Sequence, residues 1–180
     1  MIIPKVIESS TPYEGKIVTI KREKLIREPE SDRTFIREVA VVSDSVGIVA
    51  VDDQQRVLLI RQYRHPLGRP IWEIPAGRMD VDGESPEETA RRELREETDT
   101  AAEDVVRLTA FANSAGWTTE KTYVCLARGL HDVPEFDRKN EEADIEKKWI
   151  PFRDALEMVK RGEIADAKSV VGITLASFTL

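Results

Sequence analysis

Three glutamates close together, Glu93, Glu96 and Glu97, are the side chains most suited to chemistry. Glu93 and Glu97 lie four residues apart, so on a helix their carboxylates stack on one face, with Glu96 flanking it. Like charges at that spacing destabilise a bare helix by about 0.2–0.5 kcal/mol per pair. A divalent cation reverses the sign. Mg2+ is a hard ion that takes a few carboxylates together with waters and substrate phosphates. The competing reading is a solvated face laced with the pairs Glu87–Arg91 and Glu88–Arg92, and spacing alone favours it.

The helix that would carry these groups has a well-marked start. In Ser85-Pro86-Glu87-Glu88, Ser85 is a good N-cap, Pro86 suits the first helical position and Glu88 can close a capping box. Glu87 and Glu88 also suit the positive end of the helix dipole. The helix is expected over Pro86–Thr98, with Ala90 and Leu94 on its buried side.

Strands are expected around it. Gly15–Leu25 and Phe35–Val42 alternate apolar and polar residues, as half-exposed strands do. Gly47–Val51 and Val57–Ile60 are continuous apolar runs joined by the polar turn Asp52–Arg56, which reads as a buried hairpin. Further strands are expected at Trp72–Ile74, Val105–Asn113, Lys121–Ala127 and Asp144–Ile150. Pro151 should open a helix at Phe152–Arg161 that Gly162 stops, and a last helix should cover Ala167–Phe178. Strands and helices mix without a regular βαβ rhythm, which implies an α+β domain, a mixed sheet between helices as an α/β/α sandwich. Residues 1–44 read as a separate N-terminal antiparallel strand region. Its exposed edges suggest a dimerisation element and a homodimer. Residues 45–180 form the main domain.

Composition limits the function classes. The 180 residues suit a domain with a real core. The net charge is −7 and no block of Lys and Arg stands out, so no nucleic-acid partner is expected. Met1–Ser10 lacks a basic region followed by an apolar run, and no apolar stretch is long enough to span a membrane, so neither a signal peptide nor a membrane partner is expected. Cys125 is the single cysteine, which excludes an internal disulfide and fits a reducing, cytoplasmic location.

Read as a longer pattern, the sequence runs Gly77, six residues, Glu84, seven residues, then Arg92-Glu93-Leu94-Arg95-Glu96-Glu97-Thr98-Asp99-Thr100. This resembles the Nudix box, Gly, five residues, Glu, seven residues, Arg-Glu-apolar-x-Glu-Glu-x-Gly-apolar. There are two departures. One extra residue lies between Gly77 and Glu84, read as a loop insertion around Val81-Asp82-Gly83. Asp99 stands where the family has its second glycine, and Asp tolerates the left-handed conformation expected there better than most residues. The resemblance extends to the ADP-ribose pyrophosphatase branch through Arg61-Gln62-Tyr63-Arg64, Trp72–Gly77, Ser114–Glu120, Glu141–Trp149 and Gly162-Glu163-Ile164. A proline common in that branch is replaced here by Ala115.

The resemblance implies the Nudix fold and hydrolysis of ADP-ribose, a small-molecule nucleotide substrate, to AMP and ribose 5-phosphate, with Mg2+ or Mn2+. Two alternatives stay open: a hydrolase of another nucleoside diphosphate sugar or related nucleotide, and a non-catalytic ADP-ribose-binding sensor. The implied metal ligands are Glu93, Glu97, Glu96 and the main-chain carbonyl of Ala76, with Glu97 also central to catalysis. Arg92 would orient the glutamates by ion pairing. The general base would come from a later acidic loop, as Glu142 or Glu141. Arg64 and Glu73 match substrate-contacting positions, and Glu120 is a further acidic candidate beside the substrate. Trp117, or Tyr13 from a partner subunit, could stack on the base, whereas Trp72 and Trp149 read as core.

Overall fold

The computed structural model describes residues 2–27, 31–135 and 144–180. They divide into two compact units. One comprises residues 1–44 with 112–121, the other residues 45–111 with 122–180.

The first unit holds an antiparallel sheet of β1 (Lys5–Glu14), β2 (Thr19–Arg27) and β3 (Ser31–Val41), in that order. β1 is a strand that the apolar–polar pattern does not predict. Its residues KVIESSTPYE alternate poorly and include Pro12, which lies where the β1–β2 register slips between Ser10 and Tyr13. Proline cannot donate to a ladder and is tolerated at edges and bulges. All ten residues of β1 are exposed, among them Val6, Ile7 and Tyr13. The segment after Ala112 joins this unit through backbone bonds, Ala40 N–H to Trp117 O at 2.8 Å and Thr119 N–H to Ala40 O at 3.0 Å.

The second unit is built on two sheets. β4 (Ser45–Ala50) lies between β7 (Ala76–Arg78), antiparallel, and β9 (Lys121–Asp132), parallel, with β8 (Thr100–Ala112) outside β9. β5 (Arg56–Arg64) lies between β10 (Glu146–Pro151) and β6 (Arg69–Glu73), all antiparallel. The buried hairpin expected from Gly47–Val51 and Val57–Ile60 is therefore not a hairpin ladder. The turn forms, with Asp52 Oδ1 accepting from Gln54 and Arg56 N–H, but only Val51 and Val57 bridge across it. A strand has two edges. β4 gives both to β7 and β9, and β5 gives both to β10 and β6, so the two strands diverge into different sheets.

Among the described residues three α-helices complete the unit: α1 (Pro86–Thr98), α2 (Phe152–Lys160) and α3 (Ala167–Ala176). Alternation along the strands divides the core. Val46, Ile48 and Ala50 of β4 pack with Ala90 and Leu94 of α1. Val49 and Val51 pack with Phe152 and Ala155 of α2 and with Ile173 and Ala176 of α3. Both faces of the central strands are covered, which explains their unbroken apolar runs. The result is the α/β/α arrangement of an α+β fold.

α1 begins and ends as its sequence implies. Ser85 Oγ accepts from Glu88 N–H at 3.2 Å, and Glu88 Oε2 accepts from Ser85 N–H at 2.7 Å. Asp99 closes the helix in the left-handed region, at φ 54°. Lys147 reaches from β10 to Thr98 O at 3.0 Å and Asp99 Oδ2 at 2.7 Å, placing a cation on the negative end of the helix. The suggested pairs Glu87–Arg91 and Glu88–Arg92 are replaced. Glu88 is in the capping box, Arg91 donates to Ala102 O and Glu103 O, and Glu87 faces Arg107. The Ser85→Ala variant should lose about 1 kcal/mol of stability. A urea unfolding curve checks this, and an unshifted midpoint would show that the cap contributes nothing.

Candidate active site

The five residues from Glu73 to Gly77 run from the end of β6 into β7, and their contacts tie the segment to α3, β4 and α1. Ile74 N–H donates to Ser169 Oγ on α3 at 2.9 Å. Pro75 O accepts from Ile48 N–H on β4 at 2.8 Å. Ala76 N–H donates to Glu97 Oε2 on α1 at 2.8 Å. At Gly77 a Cβ would overlap the Glu93 carboxylate, so any larger residue would push that side chain aside. Pro75-Ala76-Gly77 is thus not a simple turn: Ala76 and Gly77 belong to β7, held on one side by β4 and touched on the other by α1.

Glu93 and Glu97 face inward, at 9% and 5% exposure. Burial pushes the Glu97 carboxyl up to about 8. The Ala76 N–H opposes that shift, the Glu93 and Glu73 charges add to it, and Arg64 opposes it. Burial also raises Glu93, against the opposing pull of Arg92. Two carboxylates without enough positive charge around them, set beside an exposed-backbone junction, suit a hard divalent cation that completes its shell with waters and phosphate oxygens. Among the described residues no three His, Cys, Asp or Glu side chains close into a ready cage.

Arg92 organises the outer side of the cluster. Its Nε donates to both Glu84 oxygens at 3.2 Å, and its Nη1 to Glu93 Oε1 at 2.7 Å and Glu96 Oε2 at 3.3 Å. Its Nη2 reaches Arg78 O at 3.3 Å. Burial alone would lower the pKa of this guanidinium, but Glu93 and Glu84 hold it well above the usual value. Glu84 is further fixed by Thr89 Oγ1 at 3.0 Å. The loop residue Gly83 takes φ 87°, in the stretch that carries the extra residue of the box.

Arg64 and Glu73 meet, but in unequal settings. Arg64 Nε and Nη2 donate to the two Glu73 oxygens at 2.8 and 2.9 Å. Glu73 is fully buried, while 36% of the Arg64 side chain stays exposed. In this geometry Glu73 is a buried partner of the half-buried Arg64. Glu120 belongs to the first unit, with its N–H on Thr118 Oγ1 and its carbonyl on Asn113 N–H. Trp117 and Tyr13 are exposed in that same unit, and Trp72 and Trp149 pack on the two cores. Glu141 and Glu142 lie outside the described residues.

Sequence reasoning misses Asp166, Lys168 and Ser169 at the start of α3. Asp166 Oδ2 accepts from Ser169 N–H and Oγ, and Lys168 Nζ reaches Glu73 Oε2 at 2.5 Å and Asp166 Oδ2 at 3.0 Å. A signal exists. Lysine in the first turn of a helix opposes the macrodipole, so its presence asks for a reason.

An α/β/α domain that gathers carboxylates where one helix meets a strand junction is a known class of scaffold, and comparison with known proteins places it. The NUDIX domain family model matches residues 42–171. An ADP-ribose pyrophosphatase of Mycobacterium tuberculosis is 38% identical over 93% of this chain and 80% of its own length. One from Bacillus subtilis is 34% identical over 94% of this chain and 90% of its own. The crystal structure of an ADP compounds hydrolase superposes with a TM-score of 0.84 at 22% identity, over 98% of this chain and 94% of that one, and shows the same fold. The chain belongs to the Nudix family of pyrophosphohydrolases. Members of that family generally depend on divalent cations, and the Glu93–Glu97–Ala76 junction fits one.

Two outcomes follow from this geometry. Glu97 holds its proton more tightly folded than unfolded, so in chelator its contribution to stability is full below the ordinary carboxylate value. That contribution is lost as pH rises toward about 8. Glu97→Gln removes this slope. In EDTA it should melt higher than the wild type at about pH 9 and near it at about pH 5; equal melting temperatures at both would show that Glu97 is not a strained carboxylate. Gly77→Ala should displace Glu93 while leaving the core intact. A thermal shift on adding Mg2+ should shrink in that variant, and an undiminished shift would separate Glu93 from the cation site.

Proposed function

We propose that the chain hydrolyses the diphosphate bond of ADP-ribose to AMP and ribose 5-phosphate, with Mg2+ as the working cation and Mn2+ as a substitute. The observation that carries this reading is the junction of Glu97, Glu93 and the Ala76-Gly77 backbone, with the half-buried Arg64 held by a buried carboxylate in the same unit. The names of both relatives described above point to the same substrate.

Glu93, Glu97 and the Ala76 carbonyl would hold the cation, with Glu96 as a further ligand. When bound, the cation offsets phosphate charge and lowers the pKa of water. Arg64 donates N–H bonds to phosphate oxygens, and Glu73 fixes the plane of its guanidinium. Glu120 is a further acidic residue for substrate binding. The acidic loop supplies the base, Glu142 or Glu141, which takes a proton from the attacking water. The water oxygen bonds to one phosphorus, the bond from that phosphorus to the bridging oxygen breaks, and the second phosphate leaves with the electron pair.

A second reading, another nucleoside diphosphate sugar as substrate, is favoured by Ala115 standing where the branch commonly has proline. Residues 1–44 serve as a dimerisation element beside the Nudix domain of residues 45–180. A β1 exposed along its length, with Val6, Ile7 and Tyr13 on it, supports a second copy of the chain as its cover. Among the described residues no helix is long and apolar enough to cross a membrane. With one buried cysteine and no disulfide, the cytoplasm is the proposed location.

Incubation with a panel of nucleoside diphosphate derivatives and Mg2+, with products identified, tests the reaction. ADP-ribose should be cleaved fastest, and Glu97→Gln should lower kcat by about 10²-fold while the protein stays folded. Faster turnover of another panel member would move the substrate assignment, and near wild-type kcat in Glu97→Gln would end the role given to that residue.

A further inference from the structure

We infer that Lys168, on α3, is a positioning residue for substrate binding: it acts through buried Glu73 to hold the Arg64 guanidinium in place. This inference rests on the reading of Arg64 as a phosphate contact.

The relay begins at a helix start. Asp166 is the N-cap of α3, its carboxylate held by Ser169 N–H at 3.1 Å and Ser169 Oγ at 2.7 Å. Lys168 Nζ bridges that carboxylate at 3.0 Å to Glu73 Oε2 at 2.5 Å. Glu73 in turn takes both donors of Arg64. Exposure falls inward and rises again: Lys168 is 13% exposed, Glu73 is fully buried, and Arg64 opens to solvent. The Lys168 stem is seated on β4, where a Cβ at Gly47 would come within 3.4 Å of it.

Two physical points separate this from a surface ion pair. A fully buried carboxylate needs its lone pairs satisfied: Arg64 gives each Glu73 oxygen one hydrogen bond, and Lys168 gives Oε2 a second. The second cation fixes the carboxylate plane, and a bidentate Arg follows the plane of its acceptor. Asp166 at the N-cap offsets the Lys168 charge against the helix dipole, and the same ammonium reaches across to Glu73, a contact the helix itself does not require.

The test uses the full chain with Mg2+ and ADP-ribose. Lys168→Met should raise KM roughly tenfold with kcat little changed, because a displaced guanidinium binds phosphate less well. Lys168→Arg should restore most of the affinity. Asp166→Asn keeps a good N-cap and should show a smaller rise in KM, which covers the case of a misfolded Lys168→Met. In Lys168→Met combined with Arg64→Ala, KM should be no worse than in Arg64→Ala alone. Exchange of the Arg64 Nε–H with solvent, followed by NMR without substrate, should be faster in Lys168→Met. Multiplying losses in the double variant, or unchanged Nε–H exchange, would overturn the relay. A wild type that leaves ADP-ribose intact overturns the proposed substrate, and the exchange measurement still decides the relay.

Discussion

The partly buried hydrogen bond from Ala76 N–H to Glu97 Oε2 is the constraint on which the site depends. It joins the middle of a strand junction to the last turn of α1, and it does so with a carboxylate that burial holds near its protonated form. A lone buried carboxylate is unfavourable, and one hydrogen bond offsets only part of its desolvation. The neighbouring Glu93 makes the imbalance larger. The local chemistry is therefore left short of positive charge at the place where the backbone of Ala76 and Gly77 comes closest to α1. In a family that works with divalent cations, that deficit is the physical basis for metal affinity.

The rest of the second unit keeps this arrangement rigid. Glu73, Ile74, Pro75, Ala76 and Gly77 each meet a different neighbour, so the segment cannot shift without breaking several contacts at once. Arg92 plays the corresponding part for the helix. One guanidinium spans Glu84, Glu93, Glu96 and the carbonyl of Arg78, so loop, helix and β7 are referred to one charge. The capping box at Ser85 and the Lys147 contact at Asp99 set the two ends of α1, and with them the direction in which its glutamates point. The core on both sides of the sheets then fixes the helix against β4 and β7.

Much of this is legible in the amino-acid sequence. Ser85-Pro86-Glu87-Glu88 locates the start of α1 because capping is a local interaction whose partners are three residues apart. Asp99 signals the left-handed end for the same reason. The pairing of Glu93 with Glu97 follows from helical periodicity. Glu141 and Glu142 lie outside the described residues, so the role given to them rests on resemblance. The expected hairpin at Asp52–Arg56 misleads because two adjacent apolar runs look alike whether they pair with each other or each take two other partners. β1 is hard to recognise because Pro12 and its serines hide a strand whose order comes from β2.

The sequence by itself determined the family, the reaction class and the helix with its glutamates, since each rests on short-range spacing and caps. Tertiary structure decided which of those charges are buried and which reach solvent. It buried Glu73 against Arg64, and it brought Lys168 and Asp166 from the far end of the chain to the same point. No local pattern could show this. Burial and ion pairing between residues nearly a hundred positions apart exist only once α3 has packed against β4 and the Glu73–Gly77 segment.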